Sequence, residues 1–257
     1  MVSHQAYLAE QERLGRAPAA VFKIWSLRVE GVLGGAMHTM DQGVTSHVVG
    51  NILCEVMDLD ETATTQAQRA ANMHDSLEEW YKANKVTCRI DGKLTYIRVK
   101  KSGDWPKFLG KAAATRHLVP FALMLARMHN SGSDHDRLRL GAIEALDQVY
   151  KILYNENRFL SSASRASLVR LSQAFFCIYT QLASEAVSER KRAWKMTPKF
   201  HLFQHILEHQ AWINPRAAWE YADEDLQRIL KEVAQSCHSN NTPFMVLLKW
   251  VVSVFDI

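Results

Sequence analysis

Apolar positions recur at intervals of three and four through most of the chain. That period predicts helices over about 4–14, 43–57, 61–84, 111–130, 134–155, 163–192, 199–213, 220–237 and 243–255. Ser3 stands where it can cap the first helix, and Thr45 or Ser46 lies near the start of the second. Trp80 and Tyr81 anchor the end of the third. Pro120 is expected to kink the helix at 111–130 or delay its start, because the proline ring clashes with the preceding turn. Two segments depart from the helical period. Val21 to Leu33 carries β-branched and aromatic residues and ends at Gly34-Gly35, which predicts a strand or extended segment. Val86 to Val99 holds Asp91-Gly92 between two alternating runs, and that pair suits a type I′ turn, so the segment reads as a β-hairpin. The predicted fold class is mainly α with a small β component.

A chain of 257 residues that is 47% hydrophobic can bury one large core, and no Ser/Gly/Pro-rich linker divides it, so a single domain over 1–257 is expected. No run of about 18 uninterrupted apolar residues exists, and the first residues lack a basic region followed by an apolar core. The expectation is a soluble protein, intracellular in nucleus or cytoplasm, with no membrane partner. Cys54, Cys88, Cys177 and Cys237 are scattered without a Cys-x-x-Cys pair, which argues against a zinc ribbon, a redox dithiol or a disulfide scaffold. A formal charge of +4 permits a polyanionic partner without demanding one, since clustering matters more than the total.

The charge is clustered in two places. Arg98, Lys100, Lys101, Lys107, Lys111 and Arg116 form one basic run with Trp105 and Phe108 interleaved. Arg190, Lys191, Arg192, Lys195 and Lys199 form a second. Cations neutralise phosphates and aromatic rings stack on unpaired bases, so DNA is the partner such runs would serve. Solvated helix ends explain the same residues, because cations favour the negative end of the helix dipole.

The second run leads into Met196 to Gln210, where His201, His205 and His209 recur every four residues after Pro198. Imidazoles at that spacing share one helix face and can share a metal ion. His205-Ile-Leu-Glu208-His209 fits the H-x-x-E-H pattern, with two zinc ligands and Glu208 as general base. A helix whose apolar residues face the core while its histidines are solvated accounts for the segment equally.

Three separated blocks resemble one family. Met37-His38-Thr-Met-Asp41-Gln-Gly43-Val, Met196-Thr-Pro-Lys-Phe-His201-Leu-Phe-Gln-His205 and Trp219-Glu-Tyr-Ala-Asp-Glu224 are similar, in order, to blocks of the transposase-like proteins of CACTA, Plavaka and KDZ-type mobile elements. Lys111 to Pro120 has the look of their helical insertion. The resemblance implies a remnant of an RNase H-like α/β domain with a helical insertion over about 58–195. It also implies carboxylates that hold two Mg²⁺ ions for in-line phosphoryl displacement. Glu224 matches the last acid of that set, whereas the family's aspartate in the first block falls on Gly35. Asp41 is the nearest substitute ligand, although its commoner role would be to cap the helix that follows. The resemblance therefore implies a truncated, catalytically inactive derivative that keeps nucleic-acid binding. Two alternatives stand beside it: a helical interaction protein without chemistry, and a zinc-dependent hydrolase using His205, Glu208 and His209.

Overall fold

A computed structural model describes residues 3–17, 19 and 35–236, the side chains of 218 and 222–226 excepted. The expected extended segment at 21–33 and the expected last helix at 243–255 lie outside the described residues. The elements are α1 (His4–Arg13), a π-helical stretch (Met37–Thr45) that runs into α2 (Ser46–Asp58), α3 (Gln66–Ala83), α4 (Tyr96–Val99), α5 (Ala112–His117) and α6 (Val119–Met128). They continue with α7 (Asp134–Asn155), α8 (Ser162–Ser188), α9 (Pro198–His205), a π turn (Ile206–Gln210), a 3₁₀ turn (Pro215–Ala218) and α10 (Tyr221–Gln235). The mainly helical class holds. Among the described residues, the one extended pairing outside helices is an isolated antiparallel bridge between Phe159 and Ile213.

Local chemistry sets most helix starts. The side chains of Ser3, Thr65, Ser133 and Ser161 each accept a hydrogen bond from the backbone N–H three residues on. Each satisfies a donor that the first turn leaves open, worth about 1 kcal/mol. Thr65 also shares a capping box with Gln68. Pro120 divides the helix expected at 111–130: α5 ends at His117, and the proline occupies the first turn of α6.

The chain divides into two compact units, Met1–Ala218 and Trp219–Ile257. In the first, α2 is the centre: eleven of its residues are buried, from Ser46 to Met57, on every side of the helix. A helix that is apolar all round belongs inside a core. α3, α4, α6 and α7 pack on it, and α7 lies along both α6 and α8. The π-helical stretch extends the same axis and is covered by α5 and α9. The second unit contains α10, where Arg228 and Glu232 pair one turn apart at 3.0 Å.

Two expectations are corrected here. Val86 to Val99 does not form a β-hairpin. Gly92 does turn the chain at φ +66°, but the flanking backbone bonds to side chains instead of to a facing strand. The Ile90 N–H donates to the Tyr81 hydroxyl at 3.3 Å, and Arg98 donates to the carbonyls of Asp91 and Lys93 at 2.6 and 3.1 Å. Those side chains meet the backbone's demand for partners, and residues 96–99 then coil into α4. Asp41 does not cap α2 either. The π-helical stretch delivers the chain to α2 already helical, with Thr45 at φ −59° and ψ −41°, so there is no open N-terminus for it to cap.

Candidate functional site

Asp41 is completely buried, and both of its oxygens are engaged. Arg116, on α5, donates to Oδ2 at 3.0 Å, and the Tyr150 hydroxyl, on α7, donates to Oδ1 at 2.6 Å. Thr45 Oγ1 lies 2.7 Å from the same hydroxyl. Burial, then the Asp41 charge, pushes the Tyr150 phenol far above its ordinary range, so it stays a donor. Arg116 is thus not a surface cation for a phosphate: it is 9% exposed and neutralises Asp41. An Mg²⁺ ion does not fit here, because the carboxylate it would need already balances a guanidinium and Gly35 offers no side chain. Glu224, the other acid of the implied set, is carried by α10, and its side chain lies outside the described residues.

The two basic runs come together. The Arg192 guanidinium donates to the Gly103 carbonyl, 89 residues away in sequence. Arg192 and Lys195 both approach the Trp105 ring, at 5.6 and 4.5 Å from its centroid. Burial, and then the nearby Lys199 charge, lowers the Lys107 pKa, with a smaller contribution from Lys195. Lys199 donates to the His38 carbonyl at 2.9 Å and joins the seam from α9. What lets the 105–110 segment lie so close to α2 is Gly50. The Phe108 N–H donates to the Ser46 carbonyl at 2.8 Å, directly over that glycine. Lys101 and Arg190 are exposed, Lys111 pairs with Asp91 at 3.0 Å and Lys191 with Glu189 at 2.7 Å. Beside Trp105, the exposed Val187 and Met196 line a groove of about 590 Å³.

Sequence reasoning missed a charged cluster in a cleft of about 660 Å³ that is bounded by α2, α7, α8 and the 189–194 segment. Glu55 accepts from Trp194 Nε1 at 2.7 Å and from Arg139 Nη1 at 3.2 Å, and His135 Nε2 lies 3.2 Å away. His135 Nδ1 lies 3.0 Å from Glu185, and Arg139 also pairs with Asp136 at 2.7 Å. Lys100 lines the same cleft. Trp194 is buried with φ +52°, and its N–H donates to Asn51 at 2.8 Å, so the cluster fixes the loop that carries Arg192 and Lys195. Two signals were present in the sequence. Glu55 interrupts the apolar run from Ile52 to Met57 of α2, and Arg139 occupies a core-facing position four residues before Ile143.

Two histidines make stability depend on pH in opposite directions. Burial, then Lys107, lowers His47 from 6.5 to about 4, while the bonds from Glu55 and Glu185 raise His135 from 6.5 to about 9. The unfolded chain binds more protons at His47 below pH 6.5, so stability falls as pH drops from there towards 4. The folded chain holds its proton on His135 up to about pH 9, so that contribution is complete below 6.5 and is lost as pH rises through 9. Thermal midpoints measured across this range should peak near pH 6.5. His135→Gln should flatten the alkaline limb, and a limb unchanged in that variant would show that the network does not hold the proton.

On α9 and the π turn, the histidines and Glu208 face different ways. His201 Nε2 and His205 Nε2 are 3.0 Å apart at the surface, with the His209 ring 5.2 Å from the His205 ring. Glu208 turns towards α8, where it accepts from Ser172 at 3.0 Å and from Gln204 at 3.1 Å. Burial and the neighbouring imidazoles lower the His205 pKa. Among the described residues, no three His, Cys, Asp or Glu side chains are arranged to hold one metal ion. No described helix is long and apolar enough to cross a membrane. Comparison with protein-family models, with curated proteins and with solved structures gave no match.

Proposed function

We propose that this chain binds nucleic acid without cutting it, as a non-catalytic derivative of a DDE transposase. The observation that carries the reading is the seam at Trp105, where Arg192 and Lys195 of the second basic run lie over an aromatic ring of the first. Lys107, Arg192 and Lys195 would neutralise successive phosphates, and the Trp105 ring would take an unpaired base in place of the cations over it. The groove beside the ring adds apolar wall for that base. Single strands suit this arrangement better than a duplex, whose bases are already stacked. The absence of chemistry in the reading rests on Asp41, whose two oxygens are committed to Arg116 and Tyr150.

The test is fluorescence anisotropy with a labelled single-stranded oligonucleotide and its duplex over a range of salt concentrations. Replacing Lys107, Arg192 and Lys195 together by Ala should reduce the slope of log K against log salt by about 2, at roughly 0.7 per lost phosphate contact. Trp105→Ala should weaken the single strand by about 1–3 kcal/mol and the duplex much less. No retention at low salt, or a slope that the triple variant leaves unchanged, would remove the reading.

A further inference from the structure

Lys199 joins the seam from the first turn of α9, but the histidines of that helix play no part in it, and their geometry supports a different activity. We propose that His201 and His205 form an open, two-imidazole site for a divalent transition metal of the zinc, nickel or copper class. The two Nε2 atoms are 3.0 Å apart. With metal–nitrogen bonds of about 2.0–2.1 Å, two ligands at a right angle sit about 2.9 Å apart, and two at the tetrahedral angle about 3.4 Å. The observed separation falls between these values, so one ion can bridge both rings with little movement of either. The spacing follows from α9 itself, which places residues four apart on one face and sets the two ring centroids 4.4 Å apart.

Without metal, one imidazole donates its Nε2–H to the other. When metal binds, the donor ring carries its proton on Nδ1 instead, both Nε2 lone pairs turn to the ion, and no net proton is lost. Water fills the remaining positions, so the site is open to a further ligand. His209 stands apart because the chain passes into the π turn after His205, which widens the next ring spacing to 5.2 Å. Glu208 is held by Ser172 and Gln204 on the α8 side, so the geometry does not put a general base beside the ion. This distinguishes the site from the H-x-x-E-H arrangement, which would need His205, Glu208 and His209 together.

The test is calorimetric titration of Zn²⁺, Ni²⁺ and Cu²⁺ into the tag-free full chain, with the paramagnetic resonance spectrum of the copper form read for nitrogen ligands. His201→Ala and His205→Ala should each weaken the tightest site at least about tenfold, and the copper spectrum should lose its two-nitrogen pattern. Glu208→Gln and His209→Ala should leave the affinity within about threefold. Circular dichroism of each variant checks that α9 is intact, since both histidines lie on its surface side. A tightest site that survives His201→Ala, or one that Glu208→Gln abolishes, would overturn the proposal.

Discussion

Asp41→Ala is expected to cost about 3–5 kcal/mol of stability, because it strands the Arg116 guanidinium in the core without its counter-charge. The Tyr150 hydroxyl loses its 2.6 Å acceptor at the same time. A domain of this size has a total stability of about 5–15 kcal/mol, so the variant should unfold at a much lower urea concentration or fail to accumulate. Removing the guanidinium as well, as Asp41→Ala with Arg116→Met, should recover part of the loss, since an apolar replacement no longer leaves a buried charge. Urea midpoints of the two variants decide the matter. Asp41 variants that fold with an unchanged midpoint but lose a metal-dependent strand-cutting activity would instead restore Asp41 as a catalytic ligand.

Gly50→Ala is expected to cost about 1–3 kcal/mol or more and to loosen the seam. A Cβ at Gly50 would lie 2.6 Å from the Phe108 nitrogen and 2.7 Å from the Lys107 Cα. Those are backbone atoms in a tightly packed core, and they cannot swing aside as a side chain would. The 105–110 segment must therefore lift off α2, breaking the Phe108 bond to Ser46 and moving Trp105 and Lys107 away from Arg192 and Lys195. Nucleic-acid affinity should fall together with stability, and protease should cut more readily near Lys101 and Lys107. Gly43→Ala is the comparison: its Cβ would meet the Lys199 side chain at Cδ, 2.9 Å away, and the His38 carbonyl at 3.0 Å, contacts less close than the backbone approach at Gly50, so a smaller cost is expected. Equal affinity in the Gly50 variant and the parent protein would show that the seam does not depend on this close approach.

Much of the helical plan was legible because its causes are local. Ser133 and Asn155 bound α7 where the apolar period begins and ends, and Ser161 marks the start of α8 in the same way. A change of chain direction at Asp91-Gly92 was legible too, but Gly92 takes a positive φ and Asp91 does not, so it is not the type I′ turn, which needs one at both residues. What failed was the inference from turn to hairpin, because strand pairing depends on whether nearby side chains offer the backbone other partners. Tyr81 and Arg98 do so, and neither lies in the turn.

The candidate site divides along the same line. The sequence named Lys107, Arg192, Lys195 and Trp105 as two runs and could not show that they meet. It also placed Arg116 with them, although charge pattern alone does not tell a surface cation from the partner of a buried carboxylate 75 residues away. Glu55, His135 and Arg139 received no role, since none belongs to a short motif and their contacts span 80 and 84 residues.

By itself, then, the sequence determined where most helices begin and end and which faces are apolar, because caps, prolines and periodicity act within a few residues. It also determined that His201 and His205 share a face, since four residues along a helix return to the same side. Only the tertiary structure decided the fate of the polar groups. It put Asp41 in the core beside Arg116, turned Glu208 towards Ser172 and brought Arg192 against Gly103. The charge and hydrogen-bond partners that fix those groups arrive from distant parts of the chain, and packing alone brings them within reach.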